Sequence, residues 1–199
     1  ALMRGAEHGH ISVVQQLAGQ HGADVDAKSK DGHTALSMAA EAGNMDVVKC
    51  LADEYDANVH AKDERGCTVL ARAARNGQMD IARFLTAQHD ADVNAKDNDG
   101  RTVLIWAAES GHIDFVRFLT CEHGVDVNAT DNHGYTALMM AAYKGHMGIL
   151  LQFIVGGDWC DVNASDNGGR TALMWASGNG NIDAVRYLAD HCSADVDTK

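Results

Sequence analysis

The sequence has few cysteines, and no two of them form a Cys-x-x-Cys pair. The five cysteines are an odd number with irregular spacing, and they stand at Cys50, Cys67, Cys121, Cys160 and Cys192. Disulfide frameworks use even numbers of cysteines and zinc knuckles use closely spaced ones, so we expect neither. This usage favours a reducing, intracellular location, either cytoplasmic or nuclear.

Positive charge is also scarce. The chain has 16 Lys and Arg residues against 28 Asp and Glu residues, which gives a net charge of −12. Because an acidic field repels phosphate groups, nucleic acid is a poor partner. The apolar runs are far shorter than the roughly 20 residues that cross a membrane, and no secretion signal is expected. We therefore expect neither nucleic acid nor a membrane as a partner.

What the sequence does have is an internal repeat. The Thr of a Thr-x-Leu motif recurs at steps of 34, 34, 34 and 35 residues. Its positions are Thr34, Thr68, Thr102, Thr136 and Thr171. A glycine after the first apolar run recurs with the same period, at Gly9, Gly43, Gly77, Gly111, Gly145 and Gly180. Because the two markers agree, the sequence predicts an array of repeats.

The predicted array forms a single domain, residues 1–199. Its approximate repeat bounds are 1–28 for a partial repeat, then 29–62, 63–96, 97–130, 131–165 and 166–199. Both markers place one extra residue between Gly145 and Thr171. The sequence that includes GGDWCDVNA, at 156–164, is where we expect it.

Each repeat has the pattern of two short helices and a loop. Thr34 is a good N-cap, and Leu36, Ala39 and Ala40 follow at helical spacing until Gly43 ends the helix. A second apolar run with helical spacing comes next, and then a loop with a turn glycine. Helices this short do not stand alone, so neighbouring repeats must stack to bury their apolar faces.

The full pattern is D-x-x-G-x-T-x-L-x-x-A-A-x-x-G-[HN]-x-x-x-V-x-x-L, followed later by G-A-D-V-N-A. It covers essentially all 199 residues, in five full repeats and one partial repeat, and it closely resembles the ankyrin repeat family. The resemblance implies an all-α ankyrin repeat solenoid, in which helix-turn-helix units are joined by β-hairpin-like loops. It also implies a module for protein–protein interaction.

The sequence departs from the family pattern in three ways. The family motif is Thr-Pro-Leu-His, but the second residue of the motif here is Ala or Val, and the chain contains no proline. The histidine is replaced, at Ser37, Ala71, Ile105, Met139 and Met174. We expect apolar contacts to take the place of the Thr–His hydrogen bonding. The repeat is also one residue longer than usual, at the end of the second helix.

Some columns vary widely between repeats, and we expect these exposed positions to have no role in stacking. They lie at the turn tips, directly after the turn glycine and on the first helix. In ankyrin repeat proteins these positions line a concave groove that binds a partner, about 50–60 Å long for six repeats. By resemblance, a partner protein would contact Arg72, Arg75, Arg101, Trp106, Glu109, Tyr135, Met140, Tyr143, Lys144, Arg170 and Trp175. Interface hot spots are enriched in Trp, Tyr and Arg.

The alternative is that the first-helix column belongs to the core. This column consists of Met38, Arg72, Trp106, Met140 and Trp175. It lies two residues after the buried Leu, and so points about 200° away from it on a helix. A lone Arg72 would also be costly to bury. Both arguments favour the groove.

Catalytic chemistry is not predicted. The 11 histidines recur in columns one repeat apart, which is roughly 10 Å and too far to share one metal ion. No nucleophile, base and orienting group stand together in the pattern. We therefore expect no enzyme activity, no catalytic residue, no metal and no cofactor. We expect a monomer whose partner is another protein.

Two other hypotheses stay open. The chain could be an engineered or selected ankyrin binding scaffold, which the near-regular spacing and the absence of proline fit. It could also be a structural or regulatory segment of a larger protein, because Ala1-Leu2 aligns with Ala35-Leu36 inside a helix.

Overall fold

The protein is described by a computed structural model, which covers residues 1–155, 160–191 and 194. These residues form α-helices and no β-strand, with two isolated antiparallel bridges at Lys62–Thr68 and Ser165–Thr171. The predicted all-α class is confirmed. The chain divides into two compact units, Ala1–Asn98 and Asp99–Lys199.

The first unit contains three pairs of helices. They are α1 (Leu2–Glu7), α2 (Ile11–Gln15), α3 (Ala35–Ala42), α4 (Met45–Lys49), α5 (Val69–Arg75) and α6 (Met79–Gln88). Helices α2 and α4 each continue through one π-helical turn, Gln16–Gln20 and Cys50–Glu54. The first helices form one layer, in which α3 packs between α1 and α5, and the second helices form another, in which α4 packs between α2 and α6.

The second unit has the same plan. Its helices are α7 (Val103–Ser110), α8 (Ile113–Arg117), α9 (Ala137–Lys144), α10 (Met147–Val155), α11 (Ala172–Gly178) and α12 (Ile182–His191). Helix α8 continues through a π-helical turn, Phe118–Glu122. Helix α9 packs between α7 and α11, and α10 packs between α8 and α12. None of the helices among the described residues has the length and apolar character needed to cross a membrane.

The first helix of a repeat begins at its threonine. The Thr34 side chain accepts a hydrogen bond from the Ser37 N–H, and the Ser37 hydroxyl accepts one from the Thr34 N–H, which makes a capping box. Ile105 and Met139 occupy the equivalent of Ser37 and are 1% and 0% exposed. Apolar burial therefore replaces the family's histidine at these two positions, as predicted.

The turn glycine is required by the neighbouring repeat. Gly66 has φ +77°, and a Cβ atom there would lie 2.7 Å from the backbone nitrogen of Asn98. The turns approach this closely because Asn98 donates its N–H to the Arg65 carbonyl (2.9 Å) and its side-chain amide to the Glu64 carbonyl (2.8 Å). The expectation that turn tips have no role in stacking is therefore wrong for Asn98.

The second helix ends in a wide turn. The N–H groups of Ala57 and Ala91 donate to carbonyls six residues earlier, at Leu51 and Leu85. This ring is one residue wider than the Schellman ending of a helix. It accommodates one more residue at the end of the second helix, where the sequence places the extra residue of a 34-residue repeat. The extra residue of the 35-residue repeat is expected within GGDWCDVNA, and residues 156–159 of that segment lie outside the described residues. Cys192 also lies outside them.

Candidate partner-binding surface

A buried aspartate organises the turn that precedes each of three first helices. The side chains of Asp63, Asp131 and Asp166 are 2%, 0% and 1% exposed. In each case Oδ1 accepts two backbone N–H groups of the same turn at 2.8 and 2.9 Å. The turn thus closes around a carboxylate, and the second oxygen remains available to a side chain.

That second oxygen faces an arginine in all three turns. Asp63 binds the guanidinium of Arg72, Asp166 accepts from Arg170 Nε at 2.9 Å, and Asp131 lies 3.6 Å from Arg101 Nε. Each buried negative charge therefore has a cation beside it, which offsets part of the cost of burial. The arginines come from three different places: the first helix, the same turn and the preceding turn.

These contacts lower the pKa of two of the carboxyl groups. Burial alone raises the pKa of Asp63, but the hydrogen bonds from Arg72 and from the Cys67 N–H outweigh burial and bring it below its usual value. The pKa of Asp166 is lowered in the same way, by the Arg170 and Gly168 N–H groups and the Arg170 charge acting against burial. Both aspartates are therefore charged at neutral pH.

In the first unit, Arg72 is largely enclosed. Its side chain is 13% exposed and pairs with Asp63 and Glu41, and Nη2 lies 3.3 Å from His33 Nε2. The argument that a buried Arg72 would be without a partner is wrong, because its own turn supplies a buried carboxylate. Arg75, one turn further along the helix, is exposed.

In the second unit, three aromatic rings meet at Trp175. The rings of Tyr135 and Tyr143 approach Trp175 edge-on, with centroids 5.4 and 5.5 Å away and interplanar angles of 88° and 87°. The indole N–H donates to Asp166 Oδ2 at 3.1 Å. The Arg170 guanidinium covers the ring at 4.1 Å from its centroid. The indole is therefore held in place on several sides.

A second set of contacts joins this aromatic cluster. Arg101 donates to Glu109 at 2.9 Å and lies over the Trp106 ring, 4.9 Å from its centroid. Lys144 lies 3.8 Å from Glu109 and 5.2 Å from the centre of the Tyr143 ring. We call the connected set the first-helix surface: Arg101, Trp106, Glu109, Tyr135, Tyr143, Lys144, Arg170 and Trp175.

Met140 does not belong to this surface. It is 5% exposed and lies in the core. Its helix, α9, has a first helix packed on each side, whereas the described neighbours of α11 in the first-helix layer lie on one side only. The prediction that Met140 is an exposed contact residue is therefore wrong. Trp106 and Trp175, in the same column, are partly exposed.

Sequence reasoning did not single out the buried aspartates as part of the site. The signal was present, because Asp63, Asp97, Asp131 and Asp166 stand at the same position of the D-x-x-G motif. The repeated aspartate fits turn formation, but its second role of holding an arginine depends on contacts that the spacing does not show.

One histidine links neighbouring repeats, and two of the cysteines are thiols that ionise poorly. His146 Nε2 lies 3.1 Å from the Glu109 carbonyl, and so ties two repeats of the second unit. Burial raises the pKa of Cys50 and of Cys67 to about 11, with nearby carboxylates adding to the effect. Across the described residues, no three side chains of His, Cys, Asp or Glu are grouped in a way that could hold a metal ion.

The fold and the surface define a class, which is a protein of stacked helix pairs with short connecting turns. The family model described as Ankyrin repeats (3 copies) matches residues 2–97, 57–131 and 123–199. The chain therefore belongs to the ankyrin repeat family, which generally mediates protein–protein interaction. The resemblance read from the sequence is confirmed.

A solved structure is similar along nearly the whole length. It is the complex of the predatory endopeptidase Bd0816 from Bdellovibrio bacteriovorus with the immunity protein Bd3460. The matched chain is 29% identical, with 96% of this chain and 97% of that chain covered and a TM-score of 0.81. No curated protein matches the chain.

Proposed function

We propose that this protein is a non-catalytic binding module that holds a partner protein on the first-helix surface of its second unit. One observation carries the proposal. All but one of the nine contact residues expected in this unit form a continuous series of contacts that is partly open to solvent. The series runs from Trp106 through Arg101, Glu109, Lys144 and Tyr143 to Trp175.

The rigidity of this surface supports a binding role. Trp175 is fixed by a hydrogen bond, two edge-on rings and a stacked guanidinium. Aromatic and arginine side chains that are already ordered lose little conformational entropy when a partner binds. They are also the side chains that dominate measured interfaces. The similar solved chain is itself a member of a protein–protein complex.

The chemistry of the thiols supports the proposal that the module is non-catalytic. With the pKa raised to about 11, Cys50 and Cys67 carry very little thiolate at neutral pH and are poor nucleophiles. The charged aspartates of the turns are engaged by backbone N–H groups and arginines, so they are structural ligands rather than free bases.

The test has two steps. The full chain first captures a partner from a lysate of cells that express this protein, and the affinity of the purified partner for the chain is then measured. We expect Trp106→Ala combined with Tyr143→Ala to weaken binding at least about tenfold, because two hot-spot side chains are lost. The matched control is Ile182→Ala, which removes a 57% exposed apolar side chain from α12, outside the surface.

Thermal unfolding of each variant separates binding from folding. The proposal expects the double variant to keep its melting temperature within a few degrees of the wild type. If the double variant binds the captured partner as tightly as the wild type, the first-helix surface is not the contact surface. If the double variant loses stability and binding to the same extent, the Trp106 and Tyr143 side chains belong to the core.

A further inference from the structure

The most exposed charged groups of the first-helix surface are two cations, Arg170 and Lys144, whose side chains are 49% and 40% exposed. Both oxygens of Asp166 are occupied, Oδ1 by two backbone N–H groups and Oδ2 by Arg170 and Trp175. Glu109 is engaged by Arg101 and Lys144. Asp166, which lies beside this surface, is therefore satisfied within the chain, and the charge of Glu109 is already paired with two cations of the surface.

Arg170, in contrast, keeps unused donors. A guanidinium has five N–H groups, and in the described part of the chain Arg170 uses one on Asp166 and one on the Tyr135 hydroxyl, at 2.9 and 3.3 Å. Its side chain is 49% exposed. The guanidinium is held over the Trp175 ring, 4.1 Å from its centroid.

Lys144 adds a second exposed cation to the same aromatic cluster. Its side chain is 40% exposed, and its ammonium lies 5.2 Å from the centre of the Tyr143 ring, which itself contacts Trp175. Arg170 and Lys144 thus flank a Tyr143–Trp175 pair. Two donors beside apolar ring faces match a segment that carries carboxylates next to an apolar side chain.

We infer that the partner is an acidic segment of a protein, with one carboxylate bound by the remaining N–H groups of Arg170, a second near Lys144, and an apolar side chain against Tyr143 and Trp175. This inference rests on the proposed function, because it assigns the chemistry of the partner to the same surface. A basic segment is disfavoured because Arg170 and Lys144 would repel it and because Glu109, the carboxylate of this surface, is already paired with Arg101 and Lys144.

The experiment is selection of a random library of displayed peptides, about 12 residues long, on the full chain. We expect the retained peptides to be enriched in Asp and Glu beside an aromatic or aliphatic residue. The same selection on Arg170→Glu should lose the preference for acids and gain one for Lys and Arg. If Arg170 has only a structural role, Arg170→Glu would retain fewer peptides, but the retained peptides would not change from acidic to basic.

Synthetic versions of the selected peptides then give affinities. We expect Arg170→Gln to weaken an acidic peptide about tenfold, Lys144→Gln about threefold, and Arg170→Lys to keep part of the affinity because the charge remains but the planar fork is lost. Ile182→Ala should leave the affinity unchanged. Lys144→Gln guards against a folding artefact, since Lys144 is exposed and holds no buried carboxylate.

The outcomes separate the two proposals. Peptides retained on the first-helix surface without a preference for carboxylates overturn the acidic segment and leave the protein-binding function intact. Retention of basic peptides does the same. A library from which no peptide is retained also overturns the acidic segment, because a linear acidic sequence is present in it. The binding function of this surface fails only if the captured partner binds the variant with Trp106→Ala and Tyr143→Ala as tightly as it binds the wild type.

Discussion

At the scale of single residues, the turn glycines carry two separate demands. Gly66 and Gly169 occupy the same position of the repeat and have nearly the same φ, +77° and +78°. A Cβ at Gly66 would meet the backbone of Asn98, whereas no described residue lies within 4 Å of a Cβ at Gly169. The pair therefore separates backbone strain from the close approach of the next turn.

We expect Gly169→Ala to lower the free energy of unfolding by about 1–2 kcal/mol, the cost of a left-handed conformation for a residue with a Cβ. Gly66→Ala should cost about 1–3 kcal/mol more, because the Asn98 backbone has to move. Urea unfolding followed by circular dichroism measures both. Equal losses would mean that the adjoining turn shifts freely, and that its two hydrogen bonds do not fix it.

The buried aspartates make a second prediction at this scale. The pKa of Asp63 is lower in the folded protein than the usual value of about 3.9. A group with a lowered pKa contributes stability that is fully present above its unfolded pKa and is lost as the pH falls through its folded pKa. Asp63→Asn should therefore cost about 2–4 kcal/mol at pH about 7, because Arg72 loses a buried partner.

The difference between Asp63→Asn and the wild type should shrink as the pH falls through the lowered folded pKa of Asp63, because the wild-type carboxyl then becomes protonated as well. Urea unfolding at several pH values between about 2.5 and 7 measures this convergence. Glu64→Gln is the control, since Glu64 lies in the same turn but is exposed. A stability gap that stays constant with pH would show that the charge of Asp63 does not cause it.

At the scale of elements, the wide turn after four of the second helices, α2, α4, α6 and α8, contains a left-handed residue. Gly22 and Gly124 fill this position in two repeats, with φ +59° and +58°. Asp56 and Asp90 fill it in two others, with φ +51° and +50°. Aspartate tolerates this conformation better than most residues, but it is still less favourable than glycine. Its charge at a helix C-terminus is also unfavourable.

We expect Asp56→Gly and Asp90→Gly each to raise the free energy of unfolding by about 0.5–1 kcal/mol. Thermal and urea unfolding measure the gain. Asp56→Asn isolates the helix-dipole part, since it removes the charge and keeps the conformation. Destabilisation by glycine would show that the aspartate side chains contribute more than they cost.

At the scale of the whole molecule, the fold followed from the sequence far more directly than the surface did. The helix-starting threonines and helix-ending glycines act within a few residues, so their spacing predicts the elements. The arginine partners of the aspartates do not follow any spacing. Arg72 comes from a helix, Arg170 from the same turn and Arg101 from the preceding turn, and all three reach the same column. These ion pairs, like the burial of Met140, depend on which side chains the folded chain brings together, and the repeat spacing does not show that.

The charge of the whole chain leads to a last prediction. The net charge is −12 at pH 7, so like charges repel one another in the folded state, and dissolved salt screens that repulsion. At pH about 8 we expect the melting temperature to rise by about 2–4 °C, or about 1 kcal/mol for a chain of this length, when NaCl increases from about 10 to about 200 mM. Near the isoelectric point of about 5.2 the same increase in salt should leave the melting temperature almost unchanged. A rise of equal size at both pH values would mean that salt stabilises the protein by a route other than its net charge.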